Sequence, residues 1–159
     1  MAASSQNAHK KLATNRKAFR DYFVVEKYEA GIELRGTEVK SVREGHISLI
    51  GAFARVENGE LFLNGMNIQP YKYGNRFNHD PDRPRRLLLH RKEITLLQKR
   101  TEQKGQALIP LSVYMKRGRV KVEIGLCKGK THGDKRETLR RKTADREAER
   151  AIKDARGGR

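Results

Sequence analysis

The chain has 159 residues, a length typical of one domain with short extensions and too short for two full domains. Only 36% of the residues are hydrophobic, and no stretch approaches the roughly 20 apolar residues of a membrane-spanning helix, so the composition excludes a transmembrane protein. Lys and Arg number 36 against 19 Asp and Glu, and the resulting net charge of +17 predicts a polyanionic partner, with nucleic acid the leading candidate.

Charge and apolar residues are distributed unevenly, which divides the chain into three predicted segments. Residues 1–14 carry basic and no acidic side chains, and we predict a flexible basic arm there. Residues 15–132 contain nearly all of the large apolar residues and form the predicted folding unit. Residues 133–159 hold only Leu139 and Ile152 as large aliphatic side chains, so this basic tail buries too little surface to order itself. We predict that the tail is disordered in the free protein and helical once docked.

The first predicted elements of the folding unit are a strand and a short helix. Residues 22–34 are rich in aromatic and β-branched residues, which predicts one long strand, bent where Gly31 interrupts it. Thr37 is predicted to cap a short helix, and Gly45 stands where a left-handed terminating residue is needed. A helix of this length depends on packing for its stability.

Asn58-Gly59 is the strongest local signal, because this pair supplies the two positive φ angles of a type I′ turn. It predicts a β-hairpin with one short apolar strand on each side. The later predicted elements are strands at 53–56, 61–63 and 85–89, a helix at Arg91–Lys104 ended by Gly105, and a final hairpin turning at Arg117-Gly118. We expect the helix to lie on the sheet or to close one end of a barrel.

The final hairpin alternates apolar and polar residues, which predicts a strand pair with one face toward the core. Ile109, Leu111 and Val113 are predicted to share that face. Pro110 indicates a sheet edge or a bulge, because proline donates no ladder hydrogen bond. About six strands and two short helices, without a repeating strand–helix pattern, predict a mainly β protein built on a small antiparallel β-barrel.

No group of residues in the sequence has the spacing that catalysis or metal binding requires. The histidines and carboxylates lack ligand spacing, and neither phosphate-cradling glycine motif occurs, so we predict no catalytic residue, no metal and no cofactor. The single Cys127 lies in a predicted strand, which favours an inert thiol and rules out an internal disulfide. The first residues lack the apolar block of a secretory signal, and we expect a cytoplasmic protein.

Binding to RNA requires cations for phosphates and polar groups for bases and sugars. A carboxylate such as Glu29 on the binding face of a basic protein can accept hydrogen bonds from base amines or 2′-hydroxyls; the alternative is a surface salt bridge. Candidate phosphate contacts are Lys10, Lys11, Arg16, Lys17, Arg83, Arg85, Arg86, Arg91 and Lys92. Singly, each of these is typical of a solvated surface charge.

The tail contains a signal for the start of a helix. Asp134 stands three residues before Glu137, the arrangement of a capping box, and Glu149 and Lys153 form a favourable pair one turn apart. We therefore predict a segment that becomes helical against a polyanionic groove; the alternative is a tail that serves only solubility.

Several blocks of this sequence, in this order, resemble the small protein B family of bacteria, the protein partner of transfer-messenger RNA (tmRNA). The blocks are NRKAFRDYF, YEAGIELRGTEVKSVREG, NGELFLNGMNIQPY, RPRRLLLHRKEI and KVEIGLCKGK followed by DKR. The resemblance runs from Asn15 through Arg136 and continues more loosely into the tail. It implies an OB-fold-like barrel that binds the tRNA-like domain of tmRNA and brings it to stalled ribosomes for trans-translation, without catalysing a reaction itself.

The resemblance also implies roles for individual residues. The implied RNA-binding residues are Asn15, Glu29 and Leu88, with Lys17, Arg35, Lys40, Lys128 and Lys130 as neighbouring contacts. The implied contacts with small-subunit ribosomal RNA, in the decoding centre and messenger path, are His132, Gly133, Asp134, Lys135, Arg136, Arg140, Arg141 and Lys142. Gly133 stands where the family commonly has an aromatic residue or His, and His132 can replace that residue only if the backbone at Gly133 turns it.

The residues alone are also compatible with two other functions. A metal-assisted RNA-processing enzyme would use acids such as Glu29, Glu38 and Asp80, and its RNA cleavage would be lost in Glu29→Gln. A general translation-factor-like protein would bind any structured RNA, and ordinary tRNA would compete with equal affinity.

Overall fold

The computed structural model describes residues 10–71 and 80–157. Part of the predicted arm (residues 1–9), part of the loop that follows residue 68 (residues 72–79) and the end of the tail (residues 158–159) lie outside the described residues. The helices are α1 (Arg16–Asp21), α2 (Gly36–Arg43), α3 (Arg91–Lys104) and α4 (His132–Gly157). The strands are β1 (Lys11–Thr14), β2 (Tyr22–Ile32), β3 (Ile47–Ser48), β4 (Phe53–Glu57), β5 (Glu60–Asn64), β6 (Asn67–Ile68), β7 (Arg85–Leu88), β8 (Ala107–Lys116) and β9 (Arg119–Gly129). No helix in the described part of the chain is long and apolar enough to cross a membrane.

The main sheet closes on itself. Its strand order is β1-β8-β4-β5-β7-β2-β9, and β8 also pairs with β9, so six strands form a ring and β1 adds to one side of β8. Each of these pairings is antiparallel. The prediction of a small antiparallel barrel is therefore confirmed.

Apolar side chains fill the barrel interior. Leu61, Leu63 and Leu87 from neighbouring strands are fully or almost fully buried, and α3 adds Ile94 and Leu97 to the same cluster. Helix α3 has the predicted bounds, and Gly105 ends it with a φ of 62°. The barrel is a packed core that presents its outer surface to partners.

A bulge changes which residues of β8 face the core. The register between β8 and β9 shifts between Pro110 and Ser112, so of the two predicted alternatives, a sheet edge or a bulge, the structure has the bulge. The bulge reverses the alternation, so the prediction that Ile109 and Leu111 share the core face with Val113 is wrong. Ile109 and Leu111 instead form a second cluster with Ala18 and Cys127, which attaches α1 to the outside of the barrel.

The turns form at the predicted positions, but the caps of two helices differ from the prediction. Asn58 and Gly59 have φ angles of 50° and 77°, as the type I′ turn requires. In α2 the cap is Arg35 rather than Thr37, because the Glu38 carboxylate accepts a 2.9 Å hydrogen bond from the Arg35 backbone amide.

The tail helix also begins earlier than predicted. Thr131 and Asp134 cap α4 reciprocally: the Thr131 amide donates to Asp134 Oδ2 at 3.1 Å, and the Asp134 amide donates to Thr131 Oγ1 at 3.2 Å. Asp134 is thus the distal partner of the cap and not the capping residue.

Both predicted flexible ends contain regular structure. Within the predicted arm, Lys11–Thr14 form β1, because β8 offers backbone partners that charge composition does not reveal. The tail, predicted to be disordered in the free protein, is the helix α4 here. Its cap and turn-spaced pairs such as Glu137 with Arg141, whose charged atoms lie 2.8 Å apart, favour a helix without a core. Beyond Thr138, each described side chain of α4 is exposed.

Candidate nucleic-acid interface

A groove on the outer face of the barrel contains two of the residues implicated in RNA binding. Glu29 lies on β2 and Leu88 ends β7, and Gly31 of β2 pairs with both Leu88 and Lys121 of β9. The groove has a volume of about 400 Å³ and is lined by Glu29, Gly31, Leu88, Leu89, His90, Glu93 and Lys121. The strand pairing therefore brings together residues that are far apart in sequence.

Glu29 is held ionised by its neighbours. The Tyr114 hydroxyl donates a hydrogen bond to Glu29 Oε2, and Lys116 Nζ lies 3.1 Å from Oε1 and 3.2 Å from Oε2. The Tyr114 hydrogen bond, assisted by Lys116, holds the pKa of Glu29 below its ordinary value of 4.5, although partial burial acts in the opposite direction. The Glu29 side chain is 37% exposed, so its carboxylate is charged, oriented and accessible.

Leu88 and Gly31 supply an apolar surface next to this carboxylate. Leu88 is 46% exposed. A Cβ on Gly31 would lie 3.3 Å from Leu88 Cβ, so a larger residue at position 31 would require a small shift of Leu88. An apolar surface beside an oriented acceptor suits a nucleobase, whose face packs while its amine donates to the carboxylate.

Two lysines lie at the groove: Lys121 lines it, and Lys116 binds Glu29. Between them in sequence are exposed Arg117, in the turn between β8 and β9, and exposed Arg119, the first residue of β9. Lys116 and Lys121 can contact the phosphates of an RNA whose base lies in the groove. Sequence reasoning missed Tyr114, Lys116 and Lys121; the alternation of the last hairpin was the available signal, because residues between core positions face outward.

Asn15 has a structural role in this fold. Its side chain is 6% exposed; it caps α1 by accepting from the Ala18 amide at 3.2 Å, and it donates to the Pro110 carbonyl at 2.9 Å. Lys17 is exposed on α1 and, with Asn15, lines a second groove of about 630 Å³ between α1, β4 and α3. Glu29 and Leu88 do not line that groove.

The remaining predicted cations lie on α2, at its start, and near the end of β9. Arg35 precedes α2 and Lys40 lies on α2, with its ammonium 5.3 Å from the centre of the Tyr71 ring. Lys128 is exposed near the end of β9. Lys130 is half-buried and donates to the Phe19 carbonyl at 3.2 Å and to Thr138 Oγ1 at 2.8 Å. The implied RNA contacts are thus distributed over more than one face.

The residues implicated in ribosome contact all lie on α4, which begins at His132. Gly133 is exposed, and a Cβ placed there would lie 3.8 Å from Thr131 Oγ1. Asp134 belongs to the helix cap, and Lys135 Nζ lies 3.6 Å from Asp21 Oδ1. The exposed cations of the set are Arg136, Arg140, Arg141 and Lys142.

Two of the candidate phosphate contacts are instead engaged in a buried ion cluster. Arg85 is fully buried; its Nε donates to Glu38 Oε2 at 2.6 Å and its Nη1 to the Met66 carbonyl at 2.6 Å. Arg83 binds both Glu38 oxygens. The prediction that Arg85 contacts RNA is wrong, because both this guanidinium and the Glu38 carboxylate are inaccessible to solvent.

The burial of Glu38 also bears on the enzyme alternative. Both Glu38 oxygens are occupied by arginine, so this acid is not available to a metal. Among residues 10–71 and 80–157 there is no group of three His, Cys, Asp or Glu side chains that could hold a metal ion. Cys127 is buried, which raises the pKa of its thiol to about 11 and makes it unreactive at neutral pH.

The sequence model of the SmpB protein family matches residues 12–154 of this chain. The chain belongs to the SmpB family. The SsrA-binding protein of Shouchella clausii is 57% identical over 145 residues, which are 91% of this chain and 93% of that protein. The SsrA-binding protein of Bacillus subtilis is 54% identical over 149 residues, 94% and 96% of the two chains.

A solved structure extends this similarity to the fold of the SmpB family. A chain described under "tmRNA-SmpB: a journey to the center of the bacterial ribosome" superposes with a TM-score of 0.64 at 48% identity, covering 81% of this chain and 94% of that one. The resemblance to the small protein B family is confirmed, as is the barrel as its fold.

Proposed function

We propose that this protein binds the tRNA-like domain of tmRNA and delivers it to stalled ribosomes for trans-translation. The observation that carries the proposal is the groove that holds an ionised, oriented Glu29, exposed Leu88 and the cation Lys121, with Lys116 bound to Glu29. Membership of the SmpB family supports the identity of the RNA. Folded RNA offers base amines and 2′-hydroxyls to the carboxylate and phosphates to the cations.

The barrel residues divide into contacts and supports. Glu29 and Leu88 contact a nucleotide, while the exposed cations Lys17, Arg35, Lys40 and Lys128 attract the phosphate backbone. Asn15 acts by fixing α1 against β8, because its polar atoms are already paired within the protein. RNA binding by the barrel then requires no contribution from the tail.

The tail recognises a ribosome whose decoding site holds no message. In this proposal α4 occupies the decoding centre and the empty messenger path, where Arg136, Arg140, Arg141 and Lys142 contact small-subunit ribosomal RNA. A segment whose side chains are exposed along most of its length has apolar and charged surface available for such docking. The protein itself performs no chemistry and acts in the cytoplasm, where the ribosome catalyses peptidyl transfer.

The contribution of Glu29 can be tested by Glu29→Gln. This change removes a negative charge from a protein of net charge +17, so general attraction to RNA would increase. We expect instead a loss of affinity for the tRNA-like domain of roughly tenfold to a hundredfold, since an amide is a poorer acceptor for base amines. Filter binding at fixed salt measures this loss.

Glu57→Gln is the matched control for that experiment. It removes the same charge at an exposed position of β4 that does not line the groove. Affinity that is unchanged or slightly increased in both variants would reject the role of Glu29. If ordinary tRNA competes equally with the tRNA-like domain, the protein is a general structured-RNA binder and not specific for tmRNA.

Salt dependence tests the phosphate contacts separately. Each phosphate that the protein neutralises releases counterions, so affinity for tmRNA should fall steeply between low and physiological salt. Lys128→Met should reduce the slope of log affinity against log salt by about one unit. A slope near zero in the unmodified protein would contradict a phosphate-based interface.

A further inference from the structure

Lys130 occupies the junction between the barrel and the tail helix. It follows the last residue of β9, and one residue, Thr131, separates it from the start of α4. Its backbone amide donates to the Asp21 carbonyl at the end of α1, at 2.9 Å. Both the backbone and the side chain of this residue therefore bind other elements.

The Lys130 ammonium joins three elements at one point. It donates to the Phe19 carbonyl of α1 at 3.2 Å and to Thr138 Oγ1 of α4 at 2.8 Å, and it lies 4.9 Å from the centre of the Phe23 ring of β2. An ammonium has three donors, and these contacts use two of them and direct the remainder toward an aromatic face. The Lys130 ammonium therefore has little hydrogen-bonding capacity left for a phosphate.

A second ion pair supports the same junction. Lys135 of α4 lies 3.6 Å from Asp21 of α1, and Lys135 is also hydrogen-bonded through its amide to the Thr131 carbonyl at 3.1 Å. Beyond Thr138 the described side chains of α4 are exposed. The direction of the helix therefore depends on contacts made in its first two turns.

Because α4 is long, a small change in its angle to the barrel moves its far end by several ångströms. The helix has 26 residues, which at 1.5 Å per residue is about 39 Å. A change of about 10° at its base would move its far end by roughly 7 Å, which is more than the rise of about 5.4 Å in one helical turn. A tail helix that must follow a narrow path requires a fixed angle at its junction with the barrel.

We propose that Lys130 is a positioning residue that sets the direction of the tail helix relative to the barrel by joining α1, β2 and α4. The inference rests on the proposed role of the tail in rescue. It assigns Lys130 to the orientation of α4, whereas the sequence resemblance implies direct RNA contact. The two roles predict different effects on RNA affinity and on the tail.

The first experiment measures the orientation of the tail in the full-length protein. Spin labels on Thr95→Cys in α3 and Thr143→Cys in α4 report the distance between barrel and tail by double electron–electron resonance. Both positions are exposed, and the buried thiol of Cys127 stays unlabelled. We expect Lys130→Met to broaden the distance distribution, while Lys99→Met, which removes the same charge from the exposed surface of α3, leaves it unchanged.

The second variant weakens the junction without changing the net charge of the protein. Thr138→Val removes the hydroxyl that accepts from Lys130 while retaining the branched shape and the net charge. We expect it also to broaden the distribution, and to slow tagging of a stalled nascent chain by roughly three- to tenfold, the factor for losing one typical intramolecular hydrogen bond. Lys130→Met should lower tagging at least as much, with RNA affinity reduced no more than in Lys99→Met.

The outcomes separate the inference from the proposed function. A distribution in Lys130→Met and Thr138→Val identical to that of Lys99→Met would overturn the positioning role. A large loss of RNA affinity in Lys130→Met with no effect of Thr138→Val would make Lys130 a direct RNA contact instead. If deletion of residues 133–159 leaves tagging normal, the proposed function of the tail fails whatever the orientation of α4.

Discussion

Deleting residues 133–159 should abolish tagging of stalled nascent chains while leaving binding of the tRNA-like domain largely intact. In the part of the chain that the structure describes, the two buried clusters that hold the barrel together end at Cys127, so the truncated protein keeps its core. The groove with Glu29 and Leu88 also lies entirely on the barrel. Tagging is measured in reconstituted translation on a message without a stop codon, and binding is measured by filter retention.

A substitution variant provides the control for this deletion. Replacing Arg140, Arg141 and Lys142 together by Gln removes exposed cations and keeps the helix, since Gln and Lys have similar helix propensities. We expect an intermediate loss of tagging from this variant. Normal tagging by the truncated protein would reject the role of the tail, and loss of RNA binding would place essential RNA contacts in it.

Glu38→Gln should destabilise the barrel by about 3–5 kcal/mol, because it leaves the guanidinium of Arg85 buried without its counter-charge. Both side chains are fully buried, and Arg83 also loses its charged partner. Equilibrium unfolding in urea measures the change in the free energy of unfolding.

Glu33→Gln is the matched control for Glu38→Gln. Its pair with Arg86, at 3.2 Å, is exposed, with 53% and 43% of the two side chains accessible. An exposed pair of this kind contributes at most about 1 kcal/mol. Equal destabilisation by the two substitutions would contradict the structural role assigned to the buried cluster.

The same cluster makes stability depend on acid pH. Burial by itself raises the pKa of Glu38, but hydrogen bonds from Arg83, the Arg35 amide and Arg85 outweigh it and hold the pKa below the ordinary 4.5. The folded state therefore favours the carboxylate, and this contribution is complete above pH 4.5 and is lost as the pH falls through the lower folded value. Glu38→Gln should remove this part of the acid dependence.

Local sequence signals predicted most of the elements. Asn58-Gly59 and Arg117-Gly118 have the positive φ angles that their turns require, and α3 has the predicted bounds. These features depend on residues within a few positions of one another, where glycine and hydrophobic spacing restrict the backbone. The closed antiparallel sheet follows from several such hairpins in a sequence that lacks a repeating strand–helix pattern.

The candidate site was predicted less completely. Residue chemistry singles out Glu29 and the family resemblance adds Leu88, but neither points to the residues that orient Glu29, because Tyr114 is 85 positions away in sequence. The sequence predicts that Arg85 is a surface cation, although it pairs with Glu38, 47 positions earlier, inside the protein. Charge alone does not distinguish an exposed arginine from a buried one that has a partner.

Net charge, turn residues and the period of the apolar pattern can all be obtained from the sequence, and they predict a polyanionic partner, the hairpins and the antiparallel barrel. The pairs of side chains that meet in the fold could not be predicted in this way. The bulge at Pro110 reversed the faces of β8, closure of the barrel set Glu29 beside Tyr114, and packing against α1 engaged Lys130 at the base of the tail. Such contacts depend on strand register and chain closure, which arise from the packing of the whole molecule and have no signature in a short stretch of sequence.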